Sequence, residues 1–176
     1  MNQSDDFSNQ LIAAIPGLRA FGISLTSSGE RADDLVQETL LKAWKSNASF
    51  ERGTNMRAWL YTILRNEFYT QLRKRKREVE DADGVFSARL SVPAAQESHL
   101  DMEDMRAALA QLPPDQREAI ILVGASGFSY EEAAEICLVA VGTIKSRVSR
   151  ARARLTELLM PPDERPNNPS VTSEAA

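Results

Sequence analysis

The chain of 176 residues contains a single cysteine and a single histidine. One thiol, Cys137, forms no internal disulfide and is typical of a reducing compartment. The first residues, "MNQSDDFSNQ", lack the positive segment and apolar run of a secretory signal. The sequence has no run of about 18 consecutive apolar residues, which is the length that a membrane-spanning helix needs. We therefore expect a soluble cytoplasmic protein without a membrane partner.

Side chains that support catalysis or bind metals are equally scarce. A Ser-His-Asp or Cys-His arrangement would need His99 to meet a nucleophile across a polar segment, and no glycine-rich phosphate loop occurs. His99 and Cys137 alone are too few ligands for structural zinc. Cys137 is expected to be a small buried hydrophobic residue. The sequence therefore predicts no enzyme, no metal, no cofactor and no small-molecule substrate.

The net charge of -4 conceals two basic segments. Residues 56–78 carry seven basic side chains against two acidic ones, whereas residues 80–118 carry nine acids against three basic residues. The segment "VGTIKSRVSRARARL", residues 141–155, has five lysines and arginines and no acid. Two basic segments that flank an acidic one predict contact with a polyanion at two separate places.

No segment alternates as a strand does, and the regular apolar spacing is helical, as in Val36, Leu40, Ala43 and Trp44. We predict an all-α fold of two small helical domains joined by a flexible linker. The predicted boundaries are residues 7–78 for the first domain, 79–97 for the linker, 98–160 for the second domain and 161–176 for a disordered tail. The helices of the first domain are predicted at about residues 8–14, 16–27, 30–46 and 55–76, with Pro16 in a first helical turn.

The second domain has the pattern of a helix-turn-helix. Ser129 and Glu132 have the spacing of a capping box at the start of a short helix. A turn of about three residues, "LVA", separates this helix from one predicted at about residues 141–160. Two further helices, at about 98–111 and 114–125, are predicted to precede this pair, because Pro113 disfavours helical geometry at Leu112 and ends the first of them.

A helical wheel gives the last helix two different faces. One stripe is apolar and is predicted to pack inward; it consists of Ile144, Val148, Ala151, Leu155 and Leu158. Small residues and cations lie opposite or on the flanks, which lets a helix enter the major groove of DNA. The predicted DNA-binding residues are Lys145, Ser146, Arg147, Ser149, Arg150, Arg152 and Arg154. The alternative is a solvated basic face on an ordinary core helix.

Three segments resemble the extracytoplasmic-function sigma factors, which are initiation subunits of bacterial RNA polymerase. They are "ADDLVQETLLKAWK", "RAWLYTILRNEFYTQLRKRKRE" and "GFSYEEAAEIC…VGTIKSRVSRARARL", and the likeness covers roughly residues 7–160. The segments "SYEEAAEIC" and "GTNMRAWLYTILRN" are similar to the corresponding sequences of the EcfG-type general stress response group of alphaproteobacteria. The resemblance implies a sigma region 2 bundle and a sigma region 4 helix-turn-helix that recognise the -10 and -35 promoter elements. It also implies binding to the β′ clamp helices and β flap of core polymerase, and to an anti-sigma factor of the NepR type.

The resemblance assigns roles within the first domain. The predicted residues that bind core polymerase are Asp34, Gln37, Glu38, Leu41 and Lys45, on a face away from Val36, Leu40 and Trp44; plain solvent exposure is the alternative. The loop "SNASFERGTN" and the next helix are expected to capture a flipped -10 base and hold phosphates. The predicted -10 residues are Phe50, Arg52, Asn55, Asn66, Arg73, Lys74, Arg75, Lys76 and Arg77. Trp59 is expected in the core, whereas Tyr61, Phe68 and Tyr69 suit either packing or DNA.

Two other functions fit parts of the pattern. A conventional operator-binding regulator would usually dimerise, but the sequence has neither a heptad seam nor a ligand domain. A sigma-like decoy that captures an anti-sigma factor would carry a receiver domain and would not need Lys145, Arg150 or the run "RKRKR". The sequence departs from the family at Leu138 and Val139, where a glycine usually comes first. It also has a small residue at Ser149, so the promoter sequence does not follow from the family pattern.

Overall fold

A computed structural model describes the backbone of residues 3–51, 53–81 and 97–160. These residues form helices and short connections, with no strand among them, so the all-α prediction is confirmed. Most of the predicted linker and all of the predicted tail lie outside the described residues. In the described ranges, no helix is long and apolar enough to cross a membrane.

The first domain comprises α1 (Gln3–Thr26), α2 (Gly29–Lys45), a short 3-10 helix (Asn47–Ser49) and α3 (Met56–Asp81). The prediction of two helices within α1 is wrong, because Pro16 lies inside one continuous helix. Proline removes one backbone hydrogen bond from a helix interior. Leu11 and Leu18 nevertheless lie seven residues apart on one buried face, so packing on both sides of Pro16 holds the helix together. Helix α3 also ends later than predicted.

Helices α1, α2 and α3 pack around a core of fully buried side chains. This core includes Leu18, Phe21, Leu35, Leu60 and Leu64. Helix α2 begins at Gly29 because the Ser28 side chain accepts a hydrogen bond from the Arg31 amide. Gly22 lets α1 approach α2 closely, since a Cβ atom there would lie 3.2 Å from the Ala32 Cβ. Close packing of this kind fixes the orientation of the exposed face of α2.

The second domain comprises α4 (Glu97–Ala110), α5 (Pro114–Ile120), a single π-helical turn (Ile121–Ala125), α6 (Tyr130–Cys137) and α7 (Val141–Leu159). The predicted capping box is confirmed. The Ser129 hydroxyl accepts a hydrogen bond from the Glu132 amide at 3.0 Å, and the Glu132 carboxylate accepts one from the Ser129 amide at 2.8 Å. Helices α6 and α7 therefore form the predicted helix-turn-helix, with residues 138–140 as the turn.

Leu138 has the left-handed conformation in this turn, with φ 56° and ψ 45°. Its side chain is 73% exposed, so it contributes little to the core. Leu138→Gly is expected to raise the free energy of unfolding by a few tenths to about 1 kcal/mol, because glycine adopts this conformation without steric strain. Thermal unfolding followed by circular dichroism measures the change. Val139→Gly is the matched control and should destabilise, since Val139 has a negative φ and is half-buried. A lower melting temperature for Leu138→Gly would contradict this account of the turn.

Candidate nucleic-acid and protein interfaces

Helix α7 packs inward through the stripe that the sequence predicts. Ile144, Val148 and Ala151 are buried, and Leu155 and Leu158 are half-buried. The outward face is therefore fixed relative to the rest of the second domain. The side chains of Lys145, Ser149, Arg150, Arg152 and Arg154 are exposed on the remaining surface.

Polar contacts orient part of this exposed face. The Ser146 hydroxyl donates to the Thr143 carbonyl at 2.9 Å, so this small residue stays close to the helix. The Lys145 ammonium lies 5.9 Å from the centre of the Tyr130 ring, which brings it toward α6. Arg154 forms an ion pair with Glu157 at 2.8 Å near the end of α7. The surface next to Ser149 and Arg150 thus combines a small side chain with exposed cations, as groove entry requires.

Arg147 differs from the other cations of α7. Its Nε atom lies 3.1 Å from the Asp115 carboxylate, and its side chain is only 20% exposed. The contact joins α7 to the first turn of α5, so Arg147 holds the helix in place. The helical wheel placed Arg147 on a flank, and only the position of α5 reveals this partner.

The exposed face of α2 contains all five residues predicted to bind core polymerase. Asp34, Gln37, Glu38, Leu41 and Lys45 are exposed, and the opposite face of the helix is buried. Leu41 is 53% exposed, which gives the polar face an apolar centre.

The sequence placed Trp44 on the inward face of α2, and this placement is wrong. Trp44 is 53% exposed, and its ring centre lies 6.2 Å from that of Phe7 on α1. Trp44 follows Leu41 by three residues, so both side chains contribute to one apolar surface. The exposed tryptophan is therefore an additional candidate for protein contact that the sequence analysis missed.

An aromatic cluster supports the loop between α2 and α3. The ring of Phe50 is half-buried, and its centre lies 5.0 Å from that of Trp59 and 6.2 Å from that of Phe7. Trp59 packs against the core, as expected. Gly53 has φ 89°, which lets the loop turn back toward α3. Arg52 lies outside the described residues.

Helix α3 presents the second basic surface. Asn66 is exposed, and the side chains of the run that follows are exposed too; these are Arg73, Lys74, Arg75, Lys76 and Arg77. Arg73 donates to the Thr70 hydroxyl at 3.3 Å, and the Lys74 ammonium lies 3.9 Å from the Glu78 carboxylate. Exposed cations of this kind suit phosphate contacts better than base recognition.

The side chains on the opposite side of α3 are either packed in the core or held in an ion pair. Tyr61 and Phe68 are buried and Tyr69 is half-buried, which places all three in packing. Glu67 is buried and accepts a hydrogen bond from the Lys42 ammonium on α2. The nearby ammonium lowers the pKa of Glu67. This ion pair fixes α3 against α2, and with it the relative position of Asn66 and the α2 face.

Asn55 has two roles that the sequence did not reveal. Its Oδ1 atom accepts a hydrogen bond from the Ala58 amide at 3.1 Å and so caps the N-terminus of α3. Its Nδ2 atom donates to the Glu132 carboxylate of α6 at 2.6 Å. A residue predicted to bind the -10 element is therefore bonded to the second domain.

The geometry gives no support to nucleophilic or metal chemistry within the described residues. Cys137 is buried, as predicted, and burial raises the pKa of its thiol to about 12. A thiol with such a pKa is not a nucleophile near neutral pH. The described part of the chain has no cluster of three or more histidine, cysteine or carboxylate side chains that could hold a metal ion.

Comparisons with known proteins identify the family of the chain. The family model for Sigma-70 region 2 matches residues 12–78, and the model for Sigma-70 region 4 matches residues 102–155. The ECF RNA polymerase sigma factor EcfG of Rhodopseudomonas palustris is 59% identical over 159 residues, which are 90% of this chain and 88% of that protein.

Two solved structures have the same fold. The sigma factor RpoE of Bartonella quintana, in complex with the anti-sigma factor NepR, is 62% identical with a TM-score of 0.80, over 88% of this chain and 96% of that one. The PhyRSL–NepR complex from Sphingomonas sp. Fr1 matches with 26% identity and a TM-score of 0.64, over 84% of this chain and 85% of that one. The chain belongs to the extracytoplasmic-function family of RNA polymerase sigma factors, the transcription initiation factors that bind core RNA polymerase and promoter DNA.

Proposed function

We propose that the chain is a cytoplasmic general stress sigma factor that docks on core polymerase through α2, reads the -10 element with α3 and its preceding loop, and reads the -35 element with α7. The observation that carries this proposal is the presence of two exposed basic surfaces, one on each domain. They lie on α3 at residues 73–77 and on α7 at residues 145–154. Two promoter elements require two such surfaces.

The -35 contact follows from the side chains at the centre of the α7 face. Ser149 is small, so the helix backbone can approach the base edges in a major groove. Arg150 adjoins Ser149 and is exposed, with a guanidinium group that can donate two hydrogen bonds to guanine O6 and N7. Lys145 and Arg152 lie on one flank, and Arg154 on the other, at positions that suit phosphate contacts. Arg147, which is paired with Asp115, positions α7.

The -10 contact combines a loop with the polar edge of α3. Flipping a base out of the duplex costs a few kcal/mol, so the protein must offer a pocket and a stacking surface. The cluster of Phe50 and Trp59 supplies aromatic surface beside the loop. Asn66 supplies an amide that can recognise a base edge, and the basic run beyond it neutralises phosphates.

The α2 face suits a helical partner such as the β′ clamp helices. It has carboxylates at Asp34 and Glu38 beside an apolar centre formed by Leu41 and Trp44. Interfaces of this kind gain most of their affinity from a buried apolar centre surrounded by polar contacts. The second domain would bind the β flap, as the family resemblance implies.

An anti-sigma factor of the NepR type is proposed to keep the sigma factor inactive. The 62% identical RpoE of Bartonella quintana was solved with NepR bound, and this supports the same class of partner here. We expect the anti-sigma factor and core polymerase to exclude each other, because both need exposed surfaces of the two small domains. Size-exclusion chromatography of the three purified components should give two binary complexes. A stable ternary complex would contradict this mechanism.

A further inference from the structure

One face of α3 is covered by the second domain. Arg57, Tyr61, Arg65 and Tyr69 follow one another at intervals of four residues, so they form a single stripe along the helix. Each of them contacts α5 or the segment between α5 and α6. The same domain that is proposed to read the -35 element is thus packed on the helix that is proposed to read the -10 element.

The centre of this stripe is a buried ion pair between the domains. The Arg65 Nε atom lies 2.7 Å from the Glu118 carboxylate, with the Arg65 side chain 16% exposed and the Glu118 side chain fully buried. The Tyr69 hydroxyl lies 3.4 Å from the second Glu118 oxygen. Without Arg65, the buried carboxylate would lose its ion-pair partner, which is strongly unfavourable.

Phe128 forms the apolar part of the contact. It lies in the loop before α6 and is buried. Its ring meets that of Tyr61 edge to face at 4.8 Å, and the Arg57 guanidinium lies 4.4 Å from its centre. Arg57 also donates a hydrogen bond to the Ser126 carbonyl.

Further hydrogen bonds join the two domains beside the Phe128 contact and the Arg65–Glu118 ion pair. Asn55, which caps α3, is bonded to Glu132, which caps α6, so the N-termini of the two helices are linked. Arg117 donates to the Ser24 carbonyl near the end of α1 at 3.4 Å. The contact between the domains is therefore specific as well as apolar.

This packed arrangement cannot engage a whole promoter. Elements at -10 and -35 lie about 25 base pairs apart, which is about 85 Å along the duplex at 3.4 Å per base pair. A compact protein of about 160 residues has a radius of gyration of about 15 Å and is therefore about 40 Å across. The two domains must separate before both elements can be bound.

We propose that the contacts of Arg65 with Glu118 and of Phe128 with α3 form an intramolecular lock, which keeps the free sigma factor closed and unable to span a promoter. The proposal rests on the proposed function of the two domains. In the closed chain, Asn55, a candidate -10 residue, is also hydrogen-bonded to Glu132. Because only the open fraction can bind both elements, the apparent promoter affinity is reduced by that fraction.

Small-angle X-ray scattering of the full chain tests the lock from both domains. Arg65→Met removes the cation of α3 and Phe128→Ala removes the ring of the second domain, and each is expected to raise the open-to-closed ratio at least about ten-fold. The radius of gyration should then increase above that of the compact wild type. Arg19→Met is the matched control, because its exposed pair with Asp33 lies within the first domain. Wild-type scattering from separated domains, or an unchanged radius for both variants, would overturn the proposal.

A double variant tests the buried charge itself. Arg65→Met combined with Glu118→Leu should close the chain again, since a buried ion pair replaced by apolar side chains loses little stability. A double variant as open as Arg65→Met would contradict the role of the unpaired carboxylate. Circular dichroism should show wild-type helicity in every variant, which separates opening from unfolding.

Run-off transcription with limiting sigma factor provides the functional measurement. Arg65→Met and Phe128→Ala should each give several-fold more transcript per molecule than the wild type, whereas Arg19→Met should match the wild type. An open variant without this gain would overturn the inhibitory role of the lock. A wild type that directs no transcription at all would instead contradict the proposed function, so the two failures are distinguishable.

Discussion

Arg150→Ala is expected to abolish most transcription from promoters that depend on the -35 element. Arg150 is exposed near the middle of the outward face of α7, next to the small residue Ser149. The loss of a bidentate contact to guanine costs about 1 to 3 kcal/mol, which corresponds to about five- to 150-fold in affinity. Run-off transcription from promoters with an intact or a scrambled -35 element measures the effect.

Arg152→Ala is the matched control for Arg150→Ala. If Arg152 meets a phosphate, its loss weakens binding to all sequences alike and reduces the salt dependence by about one unit. The two arginines therefore separate base reading from phosphate binding. If Arg150→Ala transcribes both promoters as the wild type does, then α7 carries only a solvated basic face.

Gln37→Ala combined with Glu38→Ala is expected to lower the affinity for core polymerase by about ten-fold or more. Both side chains are exposed on the α2 face beside Leu41, and truncation of interface side chains near an apolar centre has effects of this size. Fluorescence anisotropy of labelled sigma factor titrated with core polymerase gives the affinity.

The two sets of substitutions should impair different activities: Arg150→Ala should impair promoter recognition, and the α2 variant should impair core binding. Arg150→Ala should leave core affinity unchanged, because Arg150 lies on the α7 face that is proposed to bind DNA and not on the α2 docking surface. The Gln37→Ala, Glu38→Ala variant should leave the second domain folded, as judged by circular dichroism. Wild-type affinity of this double variant for core polymerase would show that the α2 face is not the docking surface.

Local signals in the sequence predicted much of the fold. The capping box of Ser129 and Glu132 depends on neighbouring residues, so short-range spacing was sufficient. The inward stripe of α7 followed from a 3.6-residue period. The burial of Cys137 followed from its position on the apolar side of a capped helix.

Features that depend on distant residues could not be predicted in this way. Pro16 is normally a helix start or break, but tertiary packing on both sides of it overrides that preference. Trp44 has the spacing of a core residue, yet α1 covers only part of it. The partners of Arg147 and Asn55 belong to other helices, and those of Arg65 to another domain, so no local pattern could reveal them.

The residues of the candidate sites were likewise predicted one by one, without the contacts between the two domains that carry them. The sequence assigned the -10 and -35 residues to two domains joined by a linker, with no prediction of how the domains pack. The structure packs these domains together, and the contact passes through Asn55, which caps α3, and through Arg57 and Arg65 on α3. The roles of the individual DNA-binding residues stay predictions until variants are measured.

Run-off transcription with purified core polymerase tests the central claim most directly. The wild-type chain, added to core polymerase and a linear promoter fragment with both elements, should direct a transcript of defined length. Scrambling either element should remove most of this transcript. An anti-sigma factor of the NepR type should suppress transcription from the intact promoter. If core polymerase with the chain initiates no better than core polymerase alone on such promoters, the chain does not act as a promoter-recognition subunit.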